Sequence, residues 1–185
     1  KNSNMSKRAA TDTAEGGEAK KAHTGYHLNA NNALDKAHEG ASFKAILDLP
    51  PSALQGLAEH ADGTLKNLHV KTIGDLASWK YFKISKAVVQ LSATEEVGPK
   101  GGNKRDAKSQ MNINSALDQE WESKSLAEIA NAPLSALQGI GPKSQEELTK
   151  LHLKTVMDLS KWKYAHWAES FATLAEYENA DFSSK

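Results

Sequence analysis

Cysteine is absent from this 185-residue chain. That excludes disulfides, thiolate metal sites and a cysteine nucleophile, and it leaves the compartment open, because a protein without thiols is tolerated anywhere. Net charge is absent too: 23 Lys and Arg balance 23 Asp and Glu, so no overall field draws the molecule onto nucleic acid or an anionic membrane. No apolar run reaches the roughly 18–20 residues that a membrane-crossing helix needs, which predicts a soluble or peripheral chain with no transmembrane segment. The chain opens on Lys1 rather than Met, as expected of a trimmed or processed protein, with any targeting peptide out of view.

Motifs that carry chemistry are missing as well. There is no Gly-Lys-Ser/Thr phosphate loop, no Gly-x-Ser-x-Gly elbow and no recurring carboxylate pair suited to acid–base work. The seven histidines, His23, His27, His38, His60, His69, His152 and His166, do not converge. His23 and His27 have the spacing of one helical turn but no third ligand nearby. Neither enzymatic activity nor a cofactor or metal is expected.

What the chain does have is a repeat. Shifted by 83 residues, the segment 28–95 aligns without gaps on 111–178, with about 25 identities in 68 positions. Pro50, Ser52, Ala53, Leu54, Gln55 and Gly56 return as Pro133, Ser135, Ala136, Leu137, Gln138 and Gly139. Trp79, Lys80 and Tyr81 return as Trp162, Lys163 and Tyr164. The organisation follows: an extended polar arm at 1–27, a first helical repeat at 28–95, a Gly/Lys-rich linker at 96–110, a second helical repeat at 111–178 and a C-terminal tail at 179–185. The arm nearly lacks large apolar side chains and cannot offset the cost of ordering its own backbone. The linker contains Gly98-Pro99-Lys100-Gly101-Gly102, a composition that lets the repeats move or lie apart.

Each repeat reads as about five short helices, which makes the fold class all-α, two duplicated small helical domains with no convincing strand. The first helix carries Ala-Leu-Asp. The second starts on Ser42 or Ser125, and the proline at 50 or 133 ends it. A third lies around 64–68 and 145–151. Thr72 and Thr155 cap a fourth, with Asp75 and Asp158 in its first turn. The last helix, roughly 81–94 and 164–178, offers Ile84, Val88 and Leu91, or Trp167, Phe171 and Leu174, as its buried face.

The run Leu137-Gln-Gly-Ile-Gly-Pro-Lys-Ser-Gln-Glu-Glu-Leu-Thr-Lys-Leu-His-Leu-Lys-Thr-Val-Met-Asp-Leu159 resembles the helix-hairpin-helix family. The resemblance covers about 25 residues of each repeat, and the first departs from it, with Ala58 and Glu59 where the second has Gly141 and Pro142. His69 and His152 stand after the third helix where the family usually has glycine, and histidine tolerates a left-handed backbone better than most residues. It implies a compact all-α fold and non-specific DNA binding, with Gly139, Ile140, Gly141 and Lys143 on a phosphate and Lys100, Lys104 and Arg105 assisting. Charge argues against that use. Residues 111–178 hold six Lys against ten Asp or Glu, residues 28–95 hold seven of each, and a positive excess occurs only in the arm and the linker, whereas phosphate binding needs a basic surround. A second resemblance lies in Ala-Ser-Trp79-Lys-Tyr-Phe-Lys-Ile-Ser-Lys-Ala-Val-Val and Lys-Trp162-Lys-Tyr-Ala-His-Trp-Ala-Glu. These are similar to stretches of small duplicated helical proteins of algal plastids, non-pigmented linker or auxiliary subunits of photosynthetic complexes. It implies a thylakoid-associated plastid protein that reaches the membrane only through its partners.

Trp79 and Tyr81, like Trp162 and Tyr164, are two residues apart and point to different sides of a helix. Either both of each pair pack in the core across a bend at the helix junction, or one anchors the core and the other faces a partner. With the basic residues Lys7, Arg8, Lys20, Lys21, Lys100, Lys104 and Arg105 as strap contacts, the leading expectation is a non-enzymatic scaffold or linker subunit docked on protein subunits of a larger complex. Nucleic acid is the alternative partner.

Overall fold

Ser42, Thr72, Ser125 and Thr155 each stand in extended backbone and accept the N–H of the residue three positions on, which starts a helix. At Thr72, Ser125 and Thr155 the acid at that third position bonds back to the cap's own N–H, closing a capping box. In the computed structural model, which describes residues 27–96, 98, 104 and 108–179, the described chain is all-α. The first repeat holds α1 (Phe43–Leu47), α2 (His60–Asn67), α3 (Ile73–Ser78) and α4 (Lys80–Ser92). The second holds α5 (Leu126–Ala130), α6 (Pro142–Lys150), α7 (Val156–Ser160) and α8 (Lys163–Ala175).

Where a first helix is expected, each repeat has two single 3-10 turns instead, 31–33 and 36–38 or 114–116 and 119–121. The first of the two residues between them, Leu34 or Leu117, is extended and forms an isolated antiparallel bridge to Leu54 or Leu137. A helix through that point would forfeit the two main-chain bonds the bridge makes, Asp35 N–H to Ala53 O and Gln55 N–H to Ala33 O in the first repeat. His69 and His152 are left-handed, with φ of 64° and 61°. There the chain leaves α2 or α6 and turns back toward α3 or α7.

Which stripe of the last helix is buried differs from the expectation. Val88 and Phe171 are in the core, but Leu91 and Leu174 are 53% and 49% exposed, and Ile84 and Trp167 are half-buried. The inward stripe is Phe82, Ser85 and Val88 in α4, and Ala165, Ala168, Phe171 and Ala175 in α8. The two small residues, Ser85 and Ala168, occupy equivalent positions and are both fully buried.

The reason lies in where these helices go. A single extended residue, Trp79 or Trp162, precedes α4 or α8 and turns the chain away from its own repeat. The main neighbours of α4 are α5 and α7, in the second repeat; those of α8 are α1 and α3, in the first. Helix α2 packs on its counterpart α6. Each repeat is thus completed by the other's last helix, and the buried side chains of both form one continuous cluster. A buried Phe or Val contributes about 2 kcal/mol, so Phe82 and Val88 stabilise the opposite repeat rather than their own.

The exchange is reciprocal down to single residues. Glu95, just after α4, caps α5 by accepting the N–H groups of Leu126 and Ala127 at 2.7 and 2.9 Å. Its equivalent Glu178 caps α1 through Phe43 and Lys44, also at 2.7 and 2.9 Å. Such mirrored contacts mark a pseudo-two-fold axis relating the repeats.

Candidate functional site

The glycine corner of each repeat is assembled from a short chain of constraints. Pro50 or Pro133 leads into a 3-10 turn at 51–53 or 134–136, and the bridge residue Leu54 or Leu137 follows, fully buried. Gly56 and Gly139 then adopt φ of +86° and +97°, a region in which a side chain is strained. In the second repeat Ile140 is buried and its N–H bonds Leu137 O, while Gly141 is extended and open on its outer side. Pro142 opens α6 without wasting an N–H, and Lys143 is exposed at its first turn.

Exchange of the last helices places a tyrosine from the opposite repeat over each corner. Tyr164 donates its hydroxyl to Gly56 O at 2.6 Å, and Tyr81 donates to Gln138 O at 3.4 Å. A Cβ on Gly139 would lie 2.6 Å from Tyr81 Oη, and one on Gly56 would lie 3.3 Å from Tyr164 Oη. A lysine comes with each tyrosine. Lys80 Nζ sits 4.7 Å from the Tyr81 ring, and Lys163 Nζ sits 4.7 Å from Tyr164 and 4.9 Å from Trp167, a favourable stacking of cation on ring face. Trp79 and Trp162 are buried and meet their tyrosines edge-on at 5.8 and 5.5 Å.

The structure therefore brings Trp79, Tyr81 and Gly139 into one cluster, joined by Lys80. It puts Trp162 and Tyr164 against Gly56, a corner that the choice of residues 139–143 leaves out. Of the linker cations, Lys104 bonds Glu96 at 2.8 Å. Lys7, Arg8, Lys20, Lys21, Lys100 and Arg105 lie outside the described residues. Lys80, Lys163, Glu95 and Glu178 were within reach of the sequence, since each recurs at the 83-residue offset. Lys86 and Glu169, which form an ion pair, gave no such signal, because they are one position occupied by opposite charges.

Three carboxyl groups of the second repeat are held below the usual carboxylate value. Bonds from the N–H and hydroxyl of Ser125 do this for Glu128, with Lys124 assisting. For Glu147 the cause is the Lys150 ammonium, followed by the Thr64 and Asn67 side chains of α2 across the interface. Burial works against the charge on Asp158, but bonds from Thr155 and the Lys154 N–H and charge outweigh it.

Away from the corners, Leu28, Ala30, Ala33, Phe43, Trp167 and Leu174 line an open apolar groove of about 280 Å³ between the start of the first repeat and α8. Among the described residues no three His, Asp or Glu side chains gather as a metal site would require, and no helix is long and apolar enough to cross a membrane. No protein-family model matches the chain, and neither a curated protein nor a solved structure is detectably similar to it.

Proposed function

We propose that the protein is a non-enzymatic scaffold or linker subunit holding together a larger protein assembly, and that the class of assembly it serves is the plastid photosynthetic complexes whose linker or auxiliary subunits have stretches similar to its own. The observation that carries this reading is a pair of exposed apolar sites at equivalent positions. Leu28 and Leu174, which share the groove, are 84% and 49% exposed, and their equivalents Met111 and Leu91 are 95% and 53% exposed. Large apolar side chains left in water twice over, on a body whose own core is filled, favour contact with other proteins. The glycine corners support the same reading, since their tyrosine covers make them joints between repeats. Size-exclusion chromatography of a native extract tests it. Elution with a complex far larger than the 20.0 kDa chain is expected, and elution as the free chain overturns the proposal.

One observation favours the alternative, a helix-hairpin-helix contact with DNA. Lys80 comes from the first repeat to within 3.9 Å of a Cβ on Gly139, adding a cation to a corner that is acidic when each repeat is counted alone. With Gly141 open and Lys143 at a helix start, a phosphate would find N–H donors and two ammonium groups. A gel-shift titration on duplex DNA at low salt decides: steeply salt-dependent binding supports this reading, and a flat titration removes it.

A further inference from the structure

We propose that the two repeats form a heterodimer whose chains happen to be joined, and that charge at the positions where equivalent residues meet, Lys86 against Glu169 first among them, determines which repeat pairs with which. Only residues close to a two-fold axis can touch their own equivalents, and Lys86 and Glu169 are equivalents that form an ion pair. Two copies of the first repeat would bring Lys86 against Lys86, and two of the second Glu169 against Glu169. Thr64 and Glu147 are a second pair of equivalents that meet, and two copies of the second repeat would also set Glu147 against Glu147. The principal contacts away from the axis are made twice, by Tyr81 and Tyr164, by Glu95 and Glu178, and by the two long helices. These contacts hold either kind of pair, so they give strength without choice. The fitting partner for each repeat is therefore another repeat of this same build carrying the opposite sign at the axis. Covalent joining is dispensable, because each repeat's core is closed by a helix from beyond the 96–110 connection.

The test uses the full chain with a specific protease site in place of residues 100–105, cut after folding and diluted from micromolar to nanomolar. The halves are expected to co-elute at the volume of the uncut chain. K86E, which sets two carboxylates face to face, should weaken the cut pair by roughly fivefold, a modest effect because both groups are partly exposed. The reversed pair K86E/E169K should restore it. Halves that separate on cutting at micromolar concentration overturn the proposal. Halves that stay together equally well in K86E and in the reversed pair overturn the pairing rule.

Discussion

At the turn into its third segment the second repeat has Gly141 and Pro142 where the first has Ala58 and Glu59, and the helices that follow differ accordingly. Helix α6 starts cleanly on Pro142 behind an extended Gly141. In the first repeat Ala58 O and Glu59 O instead accept 3-10-type bonds from the N–H groups of Ala61 and Asp62, in the first turn of α2. Further on, Leu134 donates its N–H to Lys154 O, whereas its equivalent Pro51 has no N–H to give. Compensation comes from Asp62, which takes both the N–H and the hydroxyl of Ser52, at 2.9 and 2.6 Å; the equivalent Gln145 takes only the N–H of Ser135, at 2.9 Å. Two different sets of local bonds thus support one geometry, which is fixed by the shared core and by the tyrosine each repeat lends the other.

The largest expected effect tests whether the two corners are equally tight. Gly139→Ala should cost about 2–3 kcal/mol, combining a strained φ with the clash on Tyr81 Oη, while Gly56→Ala, with more room beneath Tyr164, should cost about 1–2 kcal/mol. Urea unfolding measures both, and adding Tyr81→Phe to Gly139→Ala should recover part of the loss. Next come the twin small residues at the centre of the long helices. Ser85 Oγ is buried with no hydrogen-bond partner among the described residues, so Ser85→Ala should stabilise by about 1 kcal/mol and Ala168→Ser should destabilise by at least as much. Thermal unfolding shows both, and a loss of stability in Ser85→Ala would mean that its hydroxyl is satisfied.

A smaller difference separates the tyrosines. Tyr164→Phe removes a 2.6 Å bond and should cost about 1 kcal/mol; Tyr81→Phe removes one of 3.4 Å and should cost well under half of that. Equal losses would mean that the two corners are held alike in solution. Smallest of all is a difference in acid response. Glu128 and Glu147 have Ala45 and Thr64 as first-repeat equivalents, so these two lowered carboxyl groups have no counterparts there. A carboxyl whose folded value is lowered contributes stability above its unfolded value, near 4, and loses it as pH falls through the folded one. Hydrogen exchange below pH about 4 should therefore show protection falling at the start of α5 and in α6 before it falls in α1.

Local structure was largely legible in the sequence. Ser42, Thr72, Ser125 and Thr155 cap the helices assigned to them, and the two left-handed histidines stand where predicted. The ends of α2 and α6 were less so, because Glu59 and Pro142 start helices by different means. What the sequence hid was partnership. An apolar helix face reads the same whether it packs on its own repeat or on the next, and a 15-residue connection at 96–110 allows either. For the same reason the inward stripe of α4 was misjudged: Ser85 reads as a surface residue until a second copy of the helix pair lies against it. At the candidate site, Tyr81 and Gly139 were each visible, but their meeting depends on the exchange.

Glu178 lies at the far end of the second repeat and grips the start of α1, 135 residues earlier in the chain; Glu95 grips α5 in the same way. A pull applied to the chain beyond either glutamate is therefore delivered to the opposite half of the molecule, across the seam rather than along one half. Tension on the connection or the tail meets a crossed strap, which must shear a helix start before it can peel a helix away.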